Sequence, residues 1–457
     1  MADIVLRVSM YSALGRHETI FALSSGMGKC AVSVVRISGP QSREILESMT
    51  SCSARAREAQ LTTVRDPVSG EIVDQGLAIW FPAPSSFTGE DLLELQLHGS
   101  RAVIAKIFSI LRAAPGVRVA EPGEFSRRAL ENGKLDLIAT EALADLIDAE
   151  TEAQRKLALL EKAGTLRVFG EGLRDELIGL MADLEIALDF ADEVDVADKL
   201  GERVRSELKT IEAKLSAVEG GYASAERVRD GLTVLIAGAP NAGKSSLLNA
   251  LARREVAIVS EIPGTTRDLV EVRLDLGGLA VNLIDTAGMR STDDPIECEG
   301  VRRALEKARS ADLVLWLSPA NEAETSPPAT LANEALWIVR TKSDLSAGVG
   351  RDEAKDEGTF SLSAHTGFQL DRLLQALRNF AEKEMSINSS IIVANERQWR
   401  AVAAARDAVE AAGQPNLPPE VIAEELRRAS FALENLLGKI GVENVLDSVF
   451  GRFCIGK

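Results

Sequence analysis

The stretch Gly238-Ala239-Pro240-Asn241-Ala242-Gly243-Lys244-Ser245 constrains the fold of this chain more than any other. It follows an aliphatic and β-branched run, Leu232 to Ala237, and precedes a helical pattern from Ser246 to Leu251. Strand, G-x-x-x-x-G-K-S and helix, in that order, are the context a phosphate-binding P-loop requires. Glycines let backbone N–H groups turn inward around phosphate oxygens, and the following helix adds the partial positive charge of its N-terminus. In that arrangement Lys244 reaches the β- and γ-phosphates and Ser245 holds Mg²⁺. The bland alternative is a glycine-rich turn joining a strand to a helix.

A chain of 457 residues exceeds one ordinary hydrophobic core and suggests about three domains. With 46% hydrophobic and 26% charged residues, the composition is that of a soluble globular protein. The apolar run Leu313-Val314-Leu315-Trp316-Leu317 is far too short to cross a bilayer, and no cationic segment leading into an apolar one marks a signal peptide. The four cysteines, Cys30, Cys52, Cys298 and Cys454, show no C-x-x-C spacing, and there are only three histidines. Zinc and a disulfide framework are therefore not expected, and a reducing cytoplasm fits best. A net charge of −17 argues against broad non-specific binding of nucleic acid but leaves room for a local basic patch.

From about residue 18 to 130 short strands alternate with helices. Strands are expected at Ala31–Ile37, Gly76–Phe81 and Leu92–Leu97, and helices at Gln41–Met49 and Val103–Leu111. From Glu131 to about Arg229 the chain is rich in Ala, Leu, Glu and Arg, with Leu143, Leu146 and Ile147 and then Leu184, Ala187 and Leu188 at helical spacing. Its apolar stripes read as bundle core, and the acidic run Asp189 to Glu193 as a solvated helix end. Residues 231–384 alternate strand and helix again, as a nucleotide-binding sheet should. Residues 385–457 return to helices, with Asn395-Glu396-Arg397-Gln398 at one start and an amphipathic stretch over Glu424–Leu437. About seventy helical residues make a small bundle alone. The expected organisation is therefore an α+β domain over 1–130, a discontinuous helical domain over 131–230 and 385–457, and an α/β domain with a mostly parallel sheet inserted as 231–384.

Downstream residues sharpen the nucleotide reading. Asp285-Thr286-Ala287-Gly288 ends a strand as D-x-x-G, where a carboxylate helps position Mg²⁺ and a glycine N–H meets the γ-phosphate. Between it and the P-loop lies Ser260-Glu261-Ile262-Pro263-Gly264-Thr265-Thr266, a switch-like loop in which Thr266 offers a second hydroxyl to Mg²⁺. Thr341-Lys342-Ser343-Asp344 supplies a carboxylate that can accept both N–H groups of guanine; its first residue is usually Asn. Ser361-Leu362-Ser363-Ala364 backs the base, and Ser363, Ala364 and His365 are its candidate contacts. With Asn241-Ala242-Gly243-Lys244-Ser245-Ser246, these segments resemble the translation-factor-related small GTPases, Ras-like in fold, and imply GTP as ligand. Where Ras-type GTPases place a water-orienting Gln, this chain has Met289, which cannot orient water by hydrogen bonding. The resemblance to potassium-activated GTPases fills that gap. It implies K⁺ held by Asn241, Ser260, Ile262 and Thr265, and Glu297 as the residue that positions water; the bland reading of Glu297 is a solvated switch residue.

The chain ends Phe450-Gly451-Arg452-Phe453-Cys454-Ile455-Gly456-Lys457, which fits prenylation poorly. Cys454 reads either as a thiol activated by Arg452 and Lys457 or as a buried apolar cysteine. The F-C-I-G-K ending, the GTPase motifs, Val35-Arg36-Ile37-Ser38-Gly39, Phe87-Thr88-Gly89-Glu90-Asp91, Glu121-Pro122-Gly123-Glu124-Phe125-Ser126 and Asn132-Gly133-Lys134-Leu135-Asp136-Leu137 together resemble the MnmE (TrmE) family of tRNA modification GTPases. The resemblance runs from about residue 20 to the last residue. It implies an N-terminal domain that binds a tetrahydrofolate one-carbon derivative and forms the homodimer, and a helical domain carrying the GTPase. It also implies a flavoprotein partner, MnmG (GidA), which carries FAD and joins it in a heterotetramer. The expected reaction adds a (carboxymethyl)aminomethyl group at carbon 5 of the wobble uridine of tRNA in the cytoplasm, with no membrane. Carried across, Arg36, Glu94, Lys134 and Lys457 match the folate contacts and Cys454 the cysteine required for modification. Without the resemblance Arg36 and Lys134 read as solvated charges and Glu94 as a locally paired strand carboxylate. One departure precedes Arg36: Ala22 to Gly28 lacks the prolines of the family's A-T-P-P-G-x-G loop. The rival readings are a GTP-dependent ribosome-assembly or signalling switch and a folate-dependent methyltransferase with a regulatory GTPase.

Overall fold

The computed structural model describes residues 18–26, 28–189, 194–238, 241–254, 256–258, 271–285, 311–322, 326–327, 335–345, 358–387, 392–439, 446, 449–451, 453 and 456. Its contacts divide the chain into two compact units, 1–144 with 437–457, and 145–436.

The first unit is built on a six-stranded sheet of order β3-β4-β5-β2-β1-β6. The strands are β1 (Thr19–Leu23), β2 (Cys30–Ser38), β3 (Ala59–Arg65), β4 (Ile72–Phe81), β5 (Leu92–Gly99) and β6 (Val117–Val119). All neighbours run antiparallel except β1 and β6. Side chains alternate across each strand. Val35, Ile37, Leu93, Leu95, Leu97 and Trp80 therefore share one face, which packs on α1 (Ser42–Met49) and α2 (Arg101–Ala113) through Ile45, Leu46, Met49, Ile107 and Leu111. The same alternation sends Arg36 of β2 and Glu94 of β5, paired in register, to the other face. There Ile20 and Ala22 pack with Ala120 and with Phe125 of α3 (Glu124–Glu131), and Phe87 lies against them. The expected strands lie within β2, β4 and β5. The shorter β1, β3 and β6 escaped the pattern, because β1 is buried almost throughout and shows no alternation, while β3 is an edge strand with exposed Leu61.

The chain's last stretch belongs to this unit rather than staying with all of 385–457. Phe450 and Phe453 are buried with Ala144, beside Leu130 and Leu143. Gly123 admits the Phe450 carbonyl, which a Cβ would meet at 2.8 Å. Gly456, at φ 108°, packs on the Leu23 carbonyl, and Ser24 Oγ donates to the Gly456 carbonyl at 2.8 Å. Two buried aromatic rings release more free energy here than they could on a short solvated helix, so the tail follows its apolar surface. Helix α4 (Leu137–Asp148) spans the division between the units.

The second unit holds α5 (Glu152–Lys162), α6 (Thr165–Asp189), α7 (Val194–Glu219), α8 (Tyr222–Asp230), α9 (Lys244–Ala252), α10 (Leu370–Glu384), α11 (Glu396–Ala412) and α12 (Pro419–Leu436). Among the described residues no strand occurs between 131 and 230, as the composition predicts. Helices α6, α7, α11 and α12 pack together. Leu173, Leu177, Leu208, Ile211, Leu426 and Leu433 are buried on them, and buried alanines at 401, 405, 408 and 412 let α11 approach closely. Thr151 and Gln154 form a capping box at α5, and Asn395 Oδ1 accepts from the Gln398 amide at 2.9 Å to start α11.

Set into this bundle is a six-stranded sheet of order β12-β11-β10-β7-β9-β8. It comprises β7 (Leu232–Gly238), β8 (Glu271–Asp275), β9 (Ala280–Asp285), β10 (Leu313–Pro319), β11 (Leu336–Thr341) and β12 (Thr359–Ser361). Every pairing is parallel except β8 with β9. All seven residues of β10 are buried, which is why it reads as a continuous apolar run. The chain enters and leaves the sheet side by side. Arg229 Nη1 donates to the Ala394 carbonyl at 3.0 Å, Gln154 Nε2 to the Arg229 carbonyl at 2.9 Å, and Asn282 Nδ2 to the Asp230 carbonyl at 2.9 Å. Leu157 of α5 sits in the sheet's own core.

β7 ends at Gly238, where φ is 153° and an added Cβ would stand 2.4 Å from the Leu317 carbonyl of β10. Gly238→Ala is expected to cost about 3 kcal/mol, seen as a lower urea midpoint for the transition that exposes Trp316 on β10; an unchanged midpoint would show that the β7–β10 pairing tolerates a methyl group there.

Candidate functional site

The P-loop leaves β7 at the C-terminal ends of the parallel strands, where ligands of open α/β sheets bind. Asn241 has φ 62° and Gly243 φ 91°, so the loop turns through the left-handed region twice before α9 begins at Lys244. Ala242 is buried between these two turns. Lys244 Nζ donates to the Gly238 carbonyl at 3.0 Å, so its ammonium lies against the first residue of the loop. Ser245 Oγ donates to Asp285 Oδ2 at 2.7 Å. That contact joins the start of α9 to the end of β9 and sets two hard oxygens side by side, the donor chemistry Mg²⁺ takes.

The base-side loops come from β11 and the segment after β12. Thr341 ends β11, and its Oγ1 donates to the Ala242 carbonyl at 2.6 Å. The residue that departs from the usual Asn therefore ties the base loop to the phosphate loop directly. Lys342 has φ 55°, and Ser343–Leu345 form a short 3-10 turn. The turn is held by the Ser343 N–H on the Leu362 carbonyl at 3.2 Å. Ser363 is buried, Ala364 half-buried and His365 exposed. The Ser363 hydroxyl bonded to the Asp344 carboxylate holds that carboxyl below its ordinary range. Asp344 therefore stays ionised at neutral pH, an acceptor for two parallel N–H groups. Asn241 and Ser246 are exposed beside these loops.

In the first unit Arg36 Nε and Nη2 both donate to Glu94 Oε1, at 3.1 and 2.8 Å. Glu94 Oε2 has no hydrogen-bond partner among the described residues. The Arg36 guanidinium stands 5.3 Å from the Phe87 ring centroid and 5.8 Å from that of Phe125, within cation–π range of both. Lys134 lies over Gly89, where an added Cβ would be 3.2 Å from its Cε. Of the four expected folate contacts, the structure thus brings Arg36 and Glu94 together and rests Lys134 on the loop that carries Phe87. Ser38, Thr88, Glu90 and Glu124 lie inside the sequence motifs with no role of their own, and Arg128, which with Arg127 suggests a surface patch for tRNA, is instead buried at 6% exposure. They form a polar cluster beside Arg36, and nothing in their spacing could reveal it, since the partners are as far apart as Ser38 and Glu90. Burial pushes the Glu124 carboxyl up, but the Arg118 hydrogen bond and the Arg128 charge outweigh it and leave the group below its ordinary value.

Ser260, Glu261, Ile262, Pro263, Gly264, Thr265, Thr266, Thr286, Ala287, Gly288, Glu297, Cys454 and Lys457 lie outside the described residues. No group of three or more metal-ligating side chains occurs among the residues that are described.

A P-loop continued from the centre of a parallel sheet, with Ser245 bonded to the D-x-x-G carboxylate and Asp344 turned up on an adjacent loop, defines a Ras-like P-loop GTPase domain. Here it is set within a helical bundle on a chain that also carries an α+β unit. Residues 19–134 match the family described as GTP-binding protein TrmE N-terminus, and residues 137–454 match the MnmE helical domain. A tRNA modification GTPase MnmE of a Bradyrhizobium species is 47% identical over 443 residues, covering 96% of this chain and 99% of that protein. Proteins of the same name from Rhodopseudomonas palustris and Methylorubrum populi are 46% and 47% identical over 440 and 445 residues, covering 96% and 97% of this chain and 99% and 98% of theirs. The chain belongs to the MnmE family of tRNA modification GTPases.

Removing the Thr341 hydroxyl leaves the buried Ala242 carbonyl without that donor. Thr341→Val should weaken GTP binding roughly tenfold, measured by titration with a fluorescent guanine nucleotide, while Thr341→Ser should bind as the parent does.

Proposed function

We propose that the protein is a K⁺-activated GTPase that, with a flavoprotein partner, directs folate-dependent addition of a (carboxymethyl)aminomethyl group to carbon 5 of the tRNA wobble uridine. One observation carries the reading. The Lys244–Ser245–Asp285 arrangement is assembled on a chain 47% identical, over 96% of its length, to a relative named tRNA modification GTPase MnmE.

In the nucleotide site, P-loop N–H groups and Lys244 bind the phosphates, and Ser245, Thr266 and Asp285 hold Mg²⁺. Asp344 selects guanine, with Ser363 keeping its carboxylate in place. Met289 offers no hydrogen bond to an attacking water, so that task falls to Glu297. Asn241, exposed at the turn of the P-loop, would with Ser260, Ile262 and Thr265 hold K⁺, which would supply positive charge beside the phosphates.

In the N-terminal unit, Glu94 presents Oε2 to a ligand while Arg36 fixes Oε1. A carboxylate so oriented suits paired N–H donors such as those of a pterin ring, and the Phe87 and Phe125 rings fence the same space. Lys134 and Lys457 supply cations for the anionic end of a folate. A bound one-carbon unit would supply the methylene for modification, Cys454 matches the cysteine required for it, and the FAD of an MnmG-type partner would provide redox chemistry. Homodimerisation through the N-terminal units and location in the cytoplasm complete the reading. No helix among the described residues is long and apolar enough to cross a membrane.

GTP turnover should be about a hundredfold faster in KCl than in NaCl; equal rates in the two salts would remove K⁺ from the mechanism, and wild-type hydrolysis by Glu297→Ala would remove the glutamate. The modification role has its own readout. Nucleosides from tRNA of a strain lacking this chain should show unmodified wobble uridine, restored by the wild type but not by Cys454→Ser, whose GTPase rate should be unchanged. Intact modification in the deletion strain would instead favour a GTP-dependent switch without modification chemistry.

A further inference from the structure

Phe87 reaches the Arg36 site from a segment, residues 82–91, that forms neither helix nor strand among the described residues. Its placement therefore depends on what ties the segment down, and the ties are polar. Arg128 of α3, buried to 6% exposure, donates from Nη1 to both oxygens of Glu90 at 3.2 and 3.0 Å and to the Glu18 carbonyl at 3.0 Å. Its Nη2 donates to Glu124 Oε1 at 3.0 Å. Glu90 Oε2 also accepts from Ser38 Oγ at 2.8 Å, and Ser38 Oγ and Thr88 Oγ1 lie 2.7 Å apart. Asn132 Nδ2 donates to the Thr88 carbonyl at 2.7 Å. Three motifs that are separate in the sequence, through Ser38, Glu124 and Asn132, thus close with Arg128 on the segment that carries the fourth.

The tie sits next to the site. Ser38 is two residues beyond Arg36 on β2 and on the same face, about 7 Å along the strand. Arg128 is three residues beyond Phe125 on α3, about one turn. The clamp therefore fixes both rings that flank the Arg36 guanidinium. Through Gly89, whose φ of 77° keeps the backbone low beneath Lys134, it also supports the aliphatic stem of that lysine.

We infer that Arg128, acting through Glu90 and Ser38, is a positioning residue for the folate site, holding the Phe87–Asp91 segment so that Phe87 and Phe125 enclose Arg36 and Gly89 carries Lys134. This rests on the folate reading proposed above. Arg128 touches no ligand itself; it sets the walls. A guanidinium is the group for this place, because one planar fork must serve two carboxylates and a carbonyl at once, and an ammonium cannot span them.

The test uses the full-length protein and 5-formyltetrahydrofolate as probe, with the dissociation constant from calorimetry, the unfolding midpoint in urea and the GTPase rate measured on each variant. Ser38→Ala, which deletes two hydrogen bonds and exposes no charge, should weaken folate binding about five- to tenfold. Glu90→Gln should weaken it further, and Arg128→Lys should fall between Arg128→Met and the parent. The GTPase rate and, for Ser38→Ala, the urea midpoint should stay at parental values. Should Arg128→Met fail to fold, Ser38→Ala and Glu90→Gln carry the comparison. A parent that binds the folate and folded Ser38→Ala and Glu90→Gln variants that bind it equally well would overturn the inference. A parent that does not bind it would overturn the folate reading itself.

Discussion

The nucleotide-binding sheet depends on a small set of hydrogen bonds at the point where the chain enters and leaves it. Arg229 reaches across to the Ala394 carbonyl, Gln154 holds the Arg229 carbonyl, and Asn282 holds that of Asp230. These are partly buried backbone groups at a junction where regular pairing stops, and each finds a side-chain partner there. By answering them with side chains from α5, α8 and β9, the fold lets a complete parallel sheet interrupt a helical bundle without fraying either. The same junction places α5 against the sheet through Leu157 and bonds the Ala153 N–H to the Gly278 carbonyl at the β8–β9 turn. The hairpin that ends in Asp285 is thereby anchored to the helices at its far end.

At the other end of the sheet, three strands meet in the nucleotide site. Ser245 with Asp285 ties β7 to β9, and Thr341 with Ala242 ties β7 to β11. Each bond joins loops that no local preference would bring together, so the site's geometry is a product of parallel pairing and strand order. The threonine at 341 stands where the motif usually has Asn and still ties its loop to the P-loop. A hydroxyl is long enough to reach the P-loop carbonyl, while Asp344 and the Ser363 hydroxyl are bonded to each other on the neighbouring loops.

The N-terminal unit relies on a different device. Its sheet buries one face on helices in the ordinary way, but the face carrying Arg36 and Glu94 is walled by a segment without secondary structure. Burying Arg128 and Glu124 costs desolvation energy, and such pairs add little net stability compared with apolar packing. What they supply is direction: a guanidinium with several fixed acceptors admits one arrangement of the segment, where an apolar cluster would admit many. The unit thus keeps an ionic cluster beside the place where shape matters most.

The P-loop, the D-x-x-G strand end, the alternation of β2, β4 and β5, the strand-free region after residue 131 and the family itself were all legible in the sequence, because each is written in local spacing or in a run of motifs. Short strands such as β1 and β6 were not, since five buried residues or three cannot display a period. The last stretch of chain was assigned to the helices by composition, yet Phe450, Phe453 and Gly456 seat it on the N-terminal unit, where apolar surface and a close backbone approach were waiting. The hydrogen bonds made by Thr341, Ser38, Glu90 and Arg128 lay equally out of reach. Local sequence determines which residues can form a strand, a turn or a charge; only the tertiary structure decides which distant donor meets which acceptor, because that pairing is set by the burial of both groups together.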